Sequence, residues 1–150
     1  MSQSLTKIYI HIIFSTKGRN PWIIQSIQKE LYAYIASILK GINCPALIVG
    51  GVMNHIHILN IQSKNISTSK LIKEVKASSS KWIKSKDKKF KNFSWQNGYA
   101  AFSVSQSLRK QVHQYILNQK YHHQKRSFKD EMRLLLKRYE VDYDEKYFWD

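Results

Sequence analysis

Two histidines flank a single isoleucine in the run Val52-Met53-Asn54-His55-Ile56-His57-Ile58-Leu59-Asn60-Ile61. In an extended strand side chains alternate, so His55 and His57 share a face roughly 7 Å apart and Ile56 points the other way. Two imidazoles so placed can converge on one divalent cation; two partly buried histidines hydrogen-bonded across a sheet would give the same spacing. A second chemical element is Tyr115-Ile116-Leu117-Asn118-Gln119. Four residues apart on a helix, Tyr115 and Gln119 point the same way. The phenol is a potential nucleophile, and the amide oxygen is a hard ligand for Mg²⁺ or Mn²⁺. Tyr115 is one of nine tyrosines, and half-burial on a helix is the ordinary alternative.

These groups need a scaffold. Residues 5–15 are dense in β-branched and aromatic types and predict a central strand. Asn20 and Pro21 predict the start of a helix with Ile24, Ile27, Leu31, Tyr34 and Ile38 inward, ending near Lys40-Gly41. Residues 45–49 predict a second strand, which Gly50-Gly51 turns into the histidine strand as a hairpin. A second helix is expected from about Ser67 to Ile83, and a fourth strand over 99–104. A third helix beginning near Ser105 or Ser107 carries Tyr115. A fourth helical stripe comprises Phe128, Met132, Leu135, Leu136 and Tyr139. Strand, helix, strand, strand, helix, strand, then helices is the order of a split βαβ sandwich of the α+β class, with one helix-covered face and one free for a ligand. Its 150 residues form one domain, with about 141–150 an ordered tail.

The net charge of +15 is unevenly spread. Residues 1–129 hold 21 basic and 3 acidic side chains, and residues 130–150 hold 4 and 7. A body that basic implies a polyanionic partner, most often nucleic acid. No apolar run approaches the roughly 20 residues of a membrane span, and the N-terminus lacks a signal-peptide core. A lone cysteine, Cys44, fits a reducing cytoplasm.

Four separated motifs together resemble the IS200/IS605-type transposases, the single-tyrosine branch of the HUH endonucleases that includes the REP-associated tyrosine transposases. They are Tyr9–Lys17 with Arg19, Gly50–His57, Trp95–Val104, and Tyr115–Gln119 with His122 and His123. The resemblance implies a ferredoxin-like or RRM-like sheet and a mobile tyrosine helix. It implies that His55, His57 and Gln119 hold Mg²⁺ or Mn²⁺. Tyr115 would then attack a phosphodiester of single-stranded DNA, giving a 5′-phosphotyrosine and a free 3′ hydroxyl. Hairpin ends are the implied substrate and a homodimer the implied assembly, with Gly98 and the segment after Val104 as possible hinges. For DNA the candidates are Lys17, Arg19, Lys70, Lys73, Lys76, Arg109 and Lys110, with Trp95, Tyr99 or Phe102 available to stack a base. His11 is expected in a core or sheet-face role, and His122 or His123 could contact phosphate or replace Gln119. The competing readings are a catalytically silent RRM-like nucleic-acid binder and a small metal-dependent nuclease that uses water.

Overall fold

The computed structural model describes residues 2–150. Four strands, β1 (Tyr9–Ser15), β2 (Ala46–Val52), β3 (His55–Ile61) and β4 (Ala100–Val104), form one antiparallel sheet in the order β2-β3-β1-β4. The histidine strand is therefore internal. Two long helices, α1 (Gln25–Gly41) and α2 (Thr68–Lys86), cover one face. Ser67 caps α2 by accepting a hydrogen bond from the Lys70 amide. Against this face Ile10, Ile12, Phe14, Ile56 and Ile58 meet Ile27, Leu31, Ile35 and Leu39 of α1 and Leu71, Ile72 and Val75 of α2. Each such side chain, fully buried, stabilises the fold by about 1.5–3 kcal/mol before entropy is counted.

The opposite face, expected from the sequence to be free for a ligand, is covered by helices as well. Helix α3 (Arg109–Leu117) lays Ile116 on Tyr9, Leu59 and Val104. Helix α5 (Phe128–Arg138) packs Phe128, Met132, Leu135 and Leu136 on Ile13, Ala100 and Phe102. Trp149, near the end of the tail, joins this second cluster. Between the two apolar patches the sheet presents His11, His55 and His57, all buried. A short helix, α4 (Gln119–His122), follows α3 after a break at Asn118.

Two local expectations fail for the same reason, a long-range backbone pair that local composition does not show. Helix α1 begins at Gln25 rather than at Pro21, because Ile23 is fully buried and its amide donates to the Met53 carbonyl. The β2–β3 turn falls at Met53-Asn54, and Gly50 and Gly51 lie inside β2 opposite His57 and Ile56. At Gly51, φ is +148° and an added Cβ would stand 2.2 Å from the His55 carbonyl oxygen. Gly51→Ala is therefore expected to cost about 3 kcal/mol in urea-unfolding experiments. A loss under about 1 kcal/mol would show that β2 can shift without disturbing His55.

Candidate metal and tyrosine site

The site is built on β3. The imidazoles of His55 and His57 point to the face that carries α3, and their ring centroids are 5.1 Å apart. Behind them β1 contributes His11, whose Nε2 lies 2.8 Å from Nδ1 of His57. This contact fixes the His57 ring and leaves its Nε2 directed outward from the sheet. His55 is held similarly, with Nδ1 2.7 Å from Oδ1 of Asn54. An amide oxygen only accepts, so His55 Nδ1 carries the proton and its Nε2 presents a lone pair.

That lone pair faces Gln119 Oε1 at 3.2 Å and Glu131 Oε1 at 3.4 Å. The Gln119 amide is oriented by its own Nε2, which donates to Glu131 Oε2 at 3.2 Å. Three acceptors thus confront one another with no hydrogen between them, an arrangement that a cation satisfies. His57 Nε2 and His123 Nε2 also approach Glu131 Oε1, at 3.2 and 3.0 Å. Ligand atoms about 2.0–2.2 Å from a common metal sit about 3.0–3.5 Å from one another in tetrahedral or octahedral geometry. The ligand atoms of His55, His57, His123 and Glu131 all lie within 4.8 Å of one another. The donor set fits a divalent ion of the Mn²⁺ or Zn²⁺ type at least as well as Mg²⁺, since imidazole is a softer ligand than oxygen.

Tyr115 closes the site. Its hydroxyl donates to Glu131 Oε2, and its ring stacks on His122 at 4.7 Å between centroids. Burial, and then the charge and hydrogen bond of Glu131, push the phenol well above its ordinary value. Burial alone would raise the Glu131 carboxyl, but the contacts from His123 and His57 outweigh it and hold the group far below the usual carboxylate range. Glu131 is the one acidic side chain buried among the described residues.

Burial pushes His55 down to about 4, and His11 is likewise lowered well below its ordinary value. An unfolded histidine takes its proton near pH 6.5, so between that pH and about 4 the unfolded chain binds more protons than the folded one. Stability is accordingly full above pH 6.5 and falls as the pH drops, by about 3 kcal/mol from His55 alone. Urea midpoints of metal-free protein at pH 7.5, 5.5 and 4.5 measure this, and a flat profile would refute it.

The sequence motifs therefore meet in space: His55, His57, Gln119 and Tyr115 share one centre within one chain. His11 takes a sheet-face position, and His123 rather than His122 reaches the cluster. Glu131 escaped the sequence reading. The available signal was an acid three residues after Phe128 and four before Leu135, inside the apolar stripe of α5.

The expected DNA-facing groups are more scattered. Lys17, Lys70, Lys73 and Lys110 are exposed, and α2 places Lys70 and Lys73 on the side of the sheet away from the histidines. Arg19 Nη1 donates to the Trp149 carbonyl, and Arg109 Nη1 to the Tyr9 hydroxyl. Lys76 differs from the expectation: its ammonium donates to the carbonyls of Gln96, Asn97 and Gly98, and burial lowers it to about 8. Trp95 and Phe102 are also withdrawn from base stacking. Trp95 is buried against Phe14 and Phe93, and Phe102 is buried and stacked on Tyr139. Among the described residues no helix is long and apolar enough to cross a membrane.

An open antiparallel α+β sandwich whose histidine and glutamate side chains are grouped closely enough to hold a metal, touching a half-buried tyrosine, defines the structural class. Within that class the chain belongs to the IS200-like transposase family, whose sequence pattern it matches over residues 4–119. Family membership implies DNA cleavage and strand transfer. Its fold is similar to that of a candidate transposase from Deinococcus radiodurans R1, with a TM-score of 0.62 at 21% identity over 79% of this chain and 98% of that one. A REP-associated tyrosine transposase bound to a REP hairpin gives a TM-score of 0.59 at 14% identity, covering 82% of this chain and 74% of that one. No curated protein matches the chain. The family match ends at Gln119, so His123 and Glu131 lie beyond it.

Proposed function

We propose that this chain cleaves and rejoins single-stranded DNA through a 5′-phosphotyrosine on Tyr115, with His55, His57 and Gln119 holding a divalent metal. The observation that carries the reading is the meeting of the Tyr115 hydroxyl and three imidazole nitrogens on the single carboxylate of Glu131. His123 and Glu131 complete the ligand set in this proposal. A divalent ion bound there supplies Lewis acidity to the scissile phosphate and to the developing charge on the departing oxygen. A phenol is about one part in a thousand ionised at neutral pH, and burial makes Tyr115 poorer still. Its hydroxyl donates to Oε2 of Glu131, a contact that aims the oxygen, and the proton released in the reaction passes to water. As Tyr115 Oη gives up its proton and bonds to phosphorus, the P–O3′ bond breaks, and the departing oxygen takes a proton from water to leave a free 3′ hydroxyl. Because one phosphodiester replaces another, a second 3′ hydroxyl can reverse the step without an external energy source.

Hairpin ends are the proposed substrate; the hairpin bound by the REP-associated neighbour supports this choice. Lys17, Arg19, Lys70, Lys73, Arg109 and Lys110 remain proposed backbone contacts, whereas Lys76 is given a structural role. The homodimer is proposed from the family resemblance; since the site groups come from one chain, a dimer is not needed to assemble them. The test incubates the protein with Mn²⁺ and 5′- or 3′-labelled single-stranded hairpin DNA. A denaturation-resistant adduct on the fragment lying 3′ of the break is expected. Cleavage without an adduct would replace this reading with hydrolysis by water, and binding without cleavage would leave a silent nucleic-acid module.

A further inference from the structure

Beside the cluster the surface is hollowed into two clefts, of about 500 and 410 Å³, that share Gln25, Gln28 and Lys120 and so form one trough between α1 and α4. Each has the size of a pocket that holds a nucleotide-scale ligand. At one end the trough reaches His123 of the cluster, and at the other it runs over Gly50 and Ile116, next to Tyr115. Its charged lining is entirely cationic: Lys29, Lys120 and Arg126, all exposed. Met53 and Leu117 add exposed apolar surface, 43% and 61% accessible.

Cations interleaved with exposed apolar side chains suit a strand whose phosphates are charged and whose base faces are unstacked; a duplex keeps those faces hidden. We infer that this trough seats the unpaired strand leading to the scissile phosphate, with Lys120 and Arg126 on its backbone and Met53 and Leu117 against its bases. The inference rests on the proposed single-strand activity and fixes the side of the molecule that strand occupies. The lysines of α2 lie across the sheet and do not border the trough.

The test measures binding separately from chemistry. Fluorescence anisotropy with a labelled unpaired 12-mer, in Mn²⁺, compares wild type with Lys120→Ala/Arg126→Ala and with Lys40→Ala/Lys81→Ala, which removes the same charge from the α1–α2 side. The trough variant is expected to bind about tenfold more weakly at 0.15 M salt, with the salt slope reduced by about 1.4. The control is expected to bind within about twofold of wild type, and a 12-bp duplex to compete poorly. Leu117→Asp, at an exposed position, should weaken single-strand binding further without altering the melting temperature. Equal losses in trough and control variants, an unaffected trough variant, preference for duplex, or no binding by wild type would each overturn the inference. Normal trough-dependent binding without a covalent adduct would instead sink the transposition chemistry and leave the trough in place.

Discussion

Tyr115→Phe is expected to lower adduct formation by at least about 10⁴-fold while leaving DNA affinity within about twofold of wild type. The substitution removes one atom, the hydroxyl oxygen whose hydrogen contacts Glu131 Oε2. No other hydroxyl in the described residues is placed on that carboxylate, so no alternative nucleophile stands ready. The stacking on His122 and the packing of Ile116 persist, and the lost hydrogen bond should cost about 1–2 kcal/mol of stability. A melting curve alongside the adduct gel separates a missing nucleophile from a damaged fold. Residual adduct at a tenth of the wild-type rate would mean that another residue is attacked or that the tyrosine role is misassigned.

Glu131→Gln tests the part of the site that the family pattern does not contain. The variant keeps shape and one carbonyl oxygen but removes the anion on which three imidazoles and the phenol converge. Affinity for Mn²⁺ or Zn²⁺, measured by titration calorimetry, is expected to fall about 10²-fold or more. Wild-type protein should also gain about 2.7 kcal/mol of stability in metal at 100 times its Kd, a gain the variant loses at the same concentration. Metal affinity equal to wild type would remove Glu131 from the ligand set. Its remaining role would then be to hold the Tyr115 hydroxyl, visible as a change in adduct rate at saturating metal.

The four strands, both long helices and the α5 stripe were legible because each is written in local chemistry: β-branched runs, and apolar residues at helical spacing. So was the common face of His55 and His57, which follows from strand alternation alone. What the chain does not spell out locally is pairing at a distance. The amide of Ile23 finds Met53, and Gly50-Gly51 continue a strand instead of turning it, because neighbours distant in sequence impose these conformations. Periodicity did not single out Tyr115 among nine tyrosines; the family motif did. Glu131 was hidden for the opposite reason, since an acid in an amphipathic helix looks like part of its solvated side until α5 is seen to turn that residue inward. Lys76 shows the same limit among cations: a lysine on a basic helix serves as an internal clasp for three carbonyls.

Gly50 sits where two dimensions of the site are set at once. It pairs with His57 across the sheet, and an added Cβ would lie 3.0 Å from Ile116 Cγ2 and 3.2 Å from the Ile116 carbonyl oxygen. The imidazole-bearing strand residue and Ile116, the chain neighbour of Tyr115, are thus gauged from one shared reference, through a single strand pairing on one side and a single seat on the other. Such a short tolerance chain accumulates little error. The backbone thus sets the separation of the two elements, and His11, Glu131 and His122 set the final aim of the imidazole and the hydroxyl.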